Sequence, residues 1–258
     1  MSIRKTIFLL VSVTVFASCA KTYNIQGSSS ITALDGSKLY LKTLQHEGMK
    51  AIDSCDVVHG KFHFTGLLDT ICMANLFMDE EAIMPIVLEE GDITIRIDNA
   101  MQRVSGTPMN DSLYKFIDQH NQISSRMTEL SHQQSQMLLE GIDEDEIDRK
   151  LNKEASRIAA EEDRLVTSFI VNNFDNVLGT GVFMMVTSQY RYPVLTPQIE
   201  DIMSKATDKF KNDTYVRAYY QTAQENEAHM NGMDDVAQPL PETAKPQHAA
   251  PLTNIPQQ

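Results

Sequence analysis

The stretch GDITIRIDNAMQRVSGTPMNDSLYKFIDQHNQI, residues 91–123, shows where this chain changes from one kind of structure to another. In its first part, Ile93, Ile95 and Ile97 alternate with polar residues, which is the period of a half-buried strand. After Pro108, apolar residues recur every three or four positions, which is the period of an amphipathic helix. A strand-rich part followed by a helical part predicts an α+β fold.

Upstream of residue 91, the sequence predicts a series of short strands separated by turns. Turn pairs such as Gly36-Ser37, His59-Gly60 and Asp69-Thr70 recur about every ten residues, with apolar residues alternating between them. A proline inside one of these strands, Pro85, places that strand at a sheet edge or a bulge. This spacing predicts a meander of antiparallel strands, folded into a β-sandwich or an open barrel over residues 19–106.

Downstream of the junction, the sequence predicts a helical region over residues 107–230. Two long amphipathic helices should pair as an antiparallel hairpin with arms of about 45 Å. Gly141 suits the end of the first helix, and Asp143 with Glu146 suits a capping box at the start of the second. Shorter helices are expected after them. Residues 231–258 hold five of the nine prolines in the chain, which predicts a disordered tail.

The N-terminus has the layout of a bacterial lipoprotein signal. Arg4 and Lys5 precede an apolar run that ends in small residues and Cys19. The run is too short to span a membrane, which takes about 20 apolar residues. We therefore expect residues 1–18 to be removed and Cys19 to be lipidated. Ordinary secretory cleavage after Ala20 and a retained anchor are the alternatives.

The charge of the chain excludes some classes of partner. The formal net charge is −13, and removal of Arg4 and Lys5 with the signal lowers it to −15. Nucleic acids and anionic lipids are bound mainly through basic patches, so an acidic chain is not expected to take them as its main partner.

The two remaining cysteines, Cys55 and Cys72, are predicted to be free buried thiols. If the strands that carry them form tight hairpins, Cys55 lies opposite Phe64 and Cys72 lies opposite Leu67, two strands apart. A disulfide needs Cα atoms within about 7 Å, so only a slip of register would allow a bridge. The chain has no C-x-x-C motif, so it carries no thioredoxin-type exchange centre.

Other groups of polar residues give no catalytic or metal motif. The acidic run at residues 143–148 lacks the glycine and the distal glutamate of a calcium loop, so we expect a helix start there. His59 and His63 are separated by a predicted turn and have no third ligand nearby, while His120 and His132 are expected near the seam of the hairpin. We therefore predict no catalytic residue, no metal and no cofactor, and Cys19 is the single site residue.

Four segments resemble the family known as domain of unknown function 4369, which occurs ahead of thioredoxin-like domains in Bacteroidetes lipoproteins. They are DSCDV (53–57), GKFHFTG (60–66), VLEEGDI (87–93) and VSGTPMND (104–111). The resemblance extends over residues 22 to about 230 and includes NVLG at 176–179. Family members usually continue into a redox domain, whereas here a proline-rich segment stands in its place. The residues after Cys19 lack the acidic pattern of exported variants, which implies retention on the periplasmic face of the outer membrane.

The sequence thus predicts a non-enzymatic envelope lipoprotein, anchored in the membrane by its lipid, that acts as a binding or scaffold module for a protein partner. Three alternatives remain. The protein could be a recruiting or chaperone-like companion of a separate thioredoxin-like oxidoreductase, as the resemblance implies. It could bind a small molecule or a glycan between sheet and helices, or it could be an enzyme with an unrecognised site.

Overall fold

The computed structural model of the chain describes residues 21–45 and 48–232. The predicted signal segment, Cys19 and most of the predicted tail (residues 233–258) lie outside the described residues. The strands are β1 (Thr22–Ser29), β2 (Lys38–Gln45), β3 (Gly48–Asp56), β4 (Lys61–Leu67), β5 (Cys72–Met78), β6 (Glu81–Leu88), β7 (Gly91–Ile97) and β8 (Gln102–Ser105). The helices are α1 (Pro108–Leu139), α2 (Glu144–Asn172), α3 (Val177–Thr187), α4 (Pro197–Lys205), α5 (Asp208–Lys211) and α6 (Thr214–Met230).

The strands form two four-stranded sheets that face each other as a β-sandwich. One sheet has the order β4-β1-β7-β8 and the other has the order β3-β2-β5-β6. Alternating side chains such as Ile25, Ile93 and Ile95 on the first sheet, and Leu39 and Leu41 on the second, are almost fully buried. The α+β fold with an N-terminal sandwich is therefore confirmed.

The pairing of the strands differs from the predicted meander. Consecutive strands pair in β2–β3, β5–β6 and β7–β8, but β1 pairs with β4 on one side and, in parallel, with β7 on the other. The chain passes from one sheet to the other after β1, β3, β4 and β6. A sandwich needs such crossings because both inner faces must come from one chain, and hydrophobic alternation does not reveal them.

Helix α1 covers the free edge of β6, the edge strand that contains Pro85. The Tyr114 hydroxyl donates to the Pro85 carbonyl at 2.9 Å, and the Asn110 amide bonds both backbone groups of Val87. Four helical residues advance about 6 Å and two strand residues advance about 6.6 Å, so residues four apart on α1 match residues two apart on β6. An exposed edge strand invites aggregation, and α1 removes that hazard.

Helices α1 and α2 form the predicted hairpin. Gly141 follows α1 with a positive φ of 77°, and the Asp143 carboxylate accepts from the Asp145 backbone N–H at the start of α2. Glu146 does not complete a capping box with its side chain but pairs with Lys150 at 2.7 Å. No helix among residues 21–45 and 48–232 is long and apolar enough to cross a membrane.

The shorter helices pack around an aromatic cluster beside the base of the hairpin. The ring of Phe183 on α3 lies 5.6 Å from the rings of both Phe210 and Tyr219, measured between centroids. Phe174, after α2, lies 4.7 Å from Phe210. One continuous set of buried side chains joins this cluster to the core of the sandwich. The hairpin is therefore held at its base by a rigid support.

Candidate functional site

The junction at residues 103–111 is a buried polar joint between sheet and helix. Oε1 of Glu89 accepts from the backbone N–H groups of Met109 at 2.9 Å and of Asn110 at 3.0 Å. Thr107 is the N-cap residue but its side chain makes no capping bond to the helix, so the Glu89 carboxylate takes over that role. The geometry gives the junction a structural function.

The two histidines near the β3–β4 turn do not come together. His59 lies in the turn with a φ of 51°, whereas His63 lies on the outer face of β4. Nε2 of His63 is 2.6 Å from Oδ1 of Asn24, and Nδ2 of Asn24 donates to Asp92 at 2.6 Å. This row is exposed to solvent. Within the described part of the chain, no group of three or more His, Cys, Asp or Glu side chains could hold a metal ion.

Cys55 and Cys72 are both free, but the predicted register is wrong. Cys55 pairs with Leu39 of β2 rather than with Phe64, and Cys72 pairs with Leu88 of β6 rather than with Leu67. The two cysteines occupy opposite ends of one sheet, two strands apart and about 20 Å apart along the strand direction. They are half-buried, and burial raises the pKa of the Cys55 thiol to about 11 and also raises that of Cys72.

A concave surface with many polar side chains lies between α1 and α2, and we call it the hairpin groove. Its volume is about 590 Å³. Its floor is apolar and consists of Ile123, Leu165 and Phe169. Its polar lining consists of Gln119, Gln122, Arg126, Glu161, Arg164, Ser168 and Asn172. A volume of this size is within the range of ligand sites in proteins.

One end of the hairpin groove is closed by an ion pair between the two helices. Nη1 of Arg126 donates to both carboxylate oxygens of Glu161, at 3.0 and 2.9 Å. Nη2 of Arg126 is buried and has no hydrogen-bond partner, although it lies 3.8 Å from a carboxylate oxygen of Glu154. Arg157 bonds Glu154 from the same helix and lowers the pKa of that carboxyl. The network fixes the spacing of the two helices at this point.

The remaining polar lining of the hairpin groove is unpaired. Within the part of the chain that the structure describes, the side chains of Gln119, Gln122, Arg164, Ser168 and Asn172 make no hydrogen bond or ion pair. Four of them are amides or hydroxyls, which can donate and accept at once. All five side chains are exposed to solvent, whereas the buried amide of Asn110 makes four hydrogen bonds within the protein. The groove therefore offers an unused set of donors and acceptors above an apolar floor.

The other side of the hairpin seam carries His120. Its Nε2 lies 3.0 Å from Oε1 of Glu162, and its ring packs on Phe116 with centroids 5.9 Å apart. Its Nδ1 is buried without a partner. His120 thus lies in the seam as predicted, but the side chain of His132 is exposed and does not.

Comparison with known proteins identifies the N-terminal part of the chain. Residues 23–113 match the model of the family described as domain of unknown function (DUF4369). Over this part of the chain, the match confirms the resemblance seen in the sequence. The match ends in α1, so the resemblance over the rest of the helical region stays a prediction. No curated protein matches the chain.

The hairpin groove was not predicted from the sequence, although a signal for it exists. Gln119, Gln122 and Arg126 recur at helical spacing on α1, and Arg164, Ser168 and Asn172 do so on α2. Each polar stripe runs beside the apolar stripe that forms the seam. Which side of α1 faces which side of α2 depends on the packing angle, and a single sequence does not specify it.

Proposed function

We propose that this protein is a non-enzymatic envelope lipoprotein that acts as a binding or scaffold module, and that the hairpin groove holds an extended segment of a protein partner. The observation that carries the proposal is the unpaired polar lining above an apolar floor. An extended chain presents backbone N–H and C=O groups at regular intervals, and the side-chain amides of Gln119, Gln122 and Asn172 can bond both kinds. The apolar floor would take the side chains of the bound segment.

The shape of the hairpin groove supports an elongated ligand. Its lining on α2 extends from Glu161 to Asn172, which corresponds to about 16 Å along the helix axis. A fully extended segment of five residues covers about the same length. A compact small molecule would leave part of such a groove empty.

Anchoring through Cys19 would hold the sandwich close to the membrane. Strand β1 begins at Thr22, three residues after Cys19, so an acylated Cys19 holds the end of the sandwich within about 11 Å of the bilayer surface. The acyl chains contribute about 0.8 kcal/mol for each buried CH₂ group. The periplasmic face of the outer membrane is the location we propose, from the residues that follow Cys19.

The state of the thiols supports a role outside catalysis. A nucleophilic cysteine needs a lowered pKa, since the thiolate is the reactive form. Burial raises the pKa of Cys55 and of Cys72, and the carboxylates of Asp53 and Asp56 raise that of Cys55 further. Both thiols therefore suit packing better than chemistry.

The test compares two chains that carry the same substitution in different places. Ser168→Tyr fills the hairpin groove. Ser156→Tyr adds the same ring to the same helix, three turns earlier and a third of a turn around it, at an exposed position outside the groove. Each chain is crosslinked in native envelopes and the captured partners are quantified by mass spectrometry.

We expect a partner captured by the unmodified chain and by Ser156→Tyr to be lost with Ser168→Tyr. Equal capture by all three chains would exclude the groove as the binding surface. If no protein is captured by any chain, while glycans raise the melting temperature of the unmodified protein, the ligand is a glycan and the proposed partner class is wrong.

A further inference from the structure

A second groove lies between α4 and α6, and its lining is basic although the chain as a whole is acidic. We call it the α4–α6 groove; its volume is about 560 Å³. Met203 of α4 and Tyr220 of α6 form its apolar part, and Lys211 and Arg217 bring positive charge against the single carboxylate of Glu200. Neither cation makes an ion pair within residues 21–45 and 48–232.

The groove follows one stripe of α6 toward the end of that helix. Arg217, Tyr220, Gln221 and Gln224 recur at helical spacing on this stripe. Asn231, the C-cap residue of α6, is seven residues after Gln224 and so lies on the same stripe. The end of α6 therefore lies on the side of the groove.

The segment that follows α6 has the composition that such a groove selects. Residues 233–242 read MDDVAQPLPE, with three carboxylates and no basic side chain. Pro239-Leu240-Pro241 favours the polyproline II conformation, which has no internal hydrogen bonds and leaves its carbonyls free. Grooves lined by aromatic side chains recognise such segments, because proline rings pack on the aromatic face.

The length of the segment after α6 also agrees with the length of the groove. Tyr220 lies 12 residues before Gly232, about 18 Å along α6, and six residues of polyproline II cover the same distance back. This brings Pro239-Leu240-Pro241 to Tyr220 and Met203. Ten residues reach about 31 Å, so Glu242 can contact Arg217 and Lys211.

We propose that residues 236–242 of this chain bind the α4–α6 groove of the same molecule, antiparallel to α6. The prolines pack on Tyr220 and Met203, Glu242 pairs with Lys211 and Arg217, and the amides of Gln221 and Gln224 donate to free carbonyls. The tail then covers a surface of the helical region and is not free to bind elsewhere until it is displaced. This inference does not depend on the hairpin groove, so either proposal can fail alone.

The experiment places photo-reactive benzoylphenylalanine at Gln221 in the whole chain and maps its crosslinks by mass spectrometry. We expect crosslinks to residues 236–242, within one molecule when isotope-labelled and unlabelled chains are mixed. Glu242→Lys should lower the crosslink yield at least fivefold, as should Lys211→Glu together with Arg217→Glu. Combining Glu242→Lys with the two groove substitutions should restore it.

Two control variants distinguish an effect of charge in general from an effect of charge at these positions. Asn254→Lys adds a positive charge later in the tail, and Arg149→Glu with Lys153→Glu reverses two exposed charges on α2; neither should change the yield. Because Glu242→Lys lies outside the packed helices, loss of the fold cannot explain its effect. Any of three results would overturn the proposal. The crosslinks could be spread evenly over residues 233–258, they could join labelled to unlabelled chains, or their yield could be unchanged by Glu242→Lys.

Discussion

Glu89, which follows β6, and Asn110, in the first turn of α1, join the sheet to the helix. One carboxylate oxygen of Glu89 makes three contacts there. Oε1 of Glu89 lies 3.0 Å from the backbone nitrogen of Asn110 and 3.3 Å from its side-chain nitrogen, and it also accepts from Met109. Both side chains are buried, with exposed fractions of 6% and 0%. A carboxylate at a helix N-terminus interacts favourably with the helix dipole, which offsets part of the cost of burying it.

Replacement of Asn110 by alanine should destabilise the fold strongly. The Asn110 amide occupies the position of a further strand beside β6, since it bonds both the N–H and the C=O of Val87 at 2.9 and 2.8 Å. Its loss leaves two buried backbone groups without partners, so we expect the free energy of unfolding to fall by about 3 kcal/mol. Urea denaturation measures the change. Asn152→Ala, at an exposed position on α2, should alter it by less than about 0.5 kcal/mol.

Glu89→Gln should have a smaller effect, because an amide oxygen still accepts hydrogen bonds but carries no net charge. We expect a loss of about 1 kcal/mol in the free energy of unfolding, from the weaker interaction with the helix dipole. Glu90→Gln is the matched control, as Glu90 is the exposed neighbour and makes no hydrogen bond or ion pair within the described residues. If the two variants were equally stable, the charge of Glu89 would have no part in fixing the helix.

The elements of this fold could be predicted from the sequence more fully than the contacts between them. The period of apolar residues in α1 and α2, with Gly141 and Asp143 between them, is a local property, so the hairpin could be located without a structure. The position of Pro85 at a sheet edge also follows from one residue, which cannot donate to a neighbouring strand.

Contacts between distant parts of the chain were not predictable in the same way. The parallel pairing of β1 with β7 joins residues almost 70 positions apart, from Asn24 to Asp92 for example, and alternation in each strand is compatible with many partners. The cysteines are an example: both are free as predicted, but their strands pair with other strands than predicted. The hairpin groove was missed because it depends on how α1 and α2 pack.

Substitution of Cys19 tests the lipoprotein signal. Without its thiol the chain cannot accept a diacylglycerol, so Cys19→Ser should lose acyl labelling and leave the membrane fraction. Membrane pelleting followed by immunoblotting measures the release, and Ser18→Ala, beside it, should pellet as the unmodified chain does. Continued pelleting of Cys19→Ser would show that another part of the chain holds the membrane.

The half-buried thiol of Cys55 should make stability depend on pH above neutrality. The pKa of Cys55 is raised to about 11 by burial, while an exposed thiol titrates near 8.5, so the folded chain holds this proton more tightly than the unfolded chain. The stabilisation is complete below about pH 8.5 and is lost as pH rises toward 11. We expect the urea midpoint to fall between pH 8.5 and 10.5, and to fall less in Cys55→Ala.

The raised pKa of Cys55 also predicts that its thiol reacts slowly in the folded protein. At pH 8 the thiolate fraction of Cys55 should be about two orders of magnitude below that of an exposed cysteine, and its reaction with a disulfide reagent should slow accordingly. After unfolding without a reductant, Cys55 and Cys72 should both react at once. Thiols that stay blocked until reduction would show a disulfide, which the positions of the two cysteines at opposite ends of one sheet do not allow.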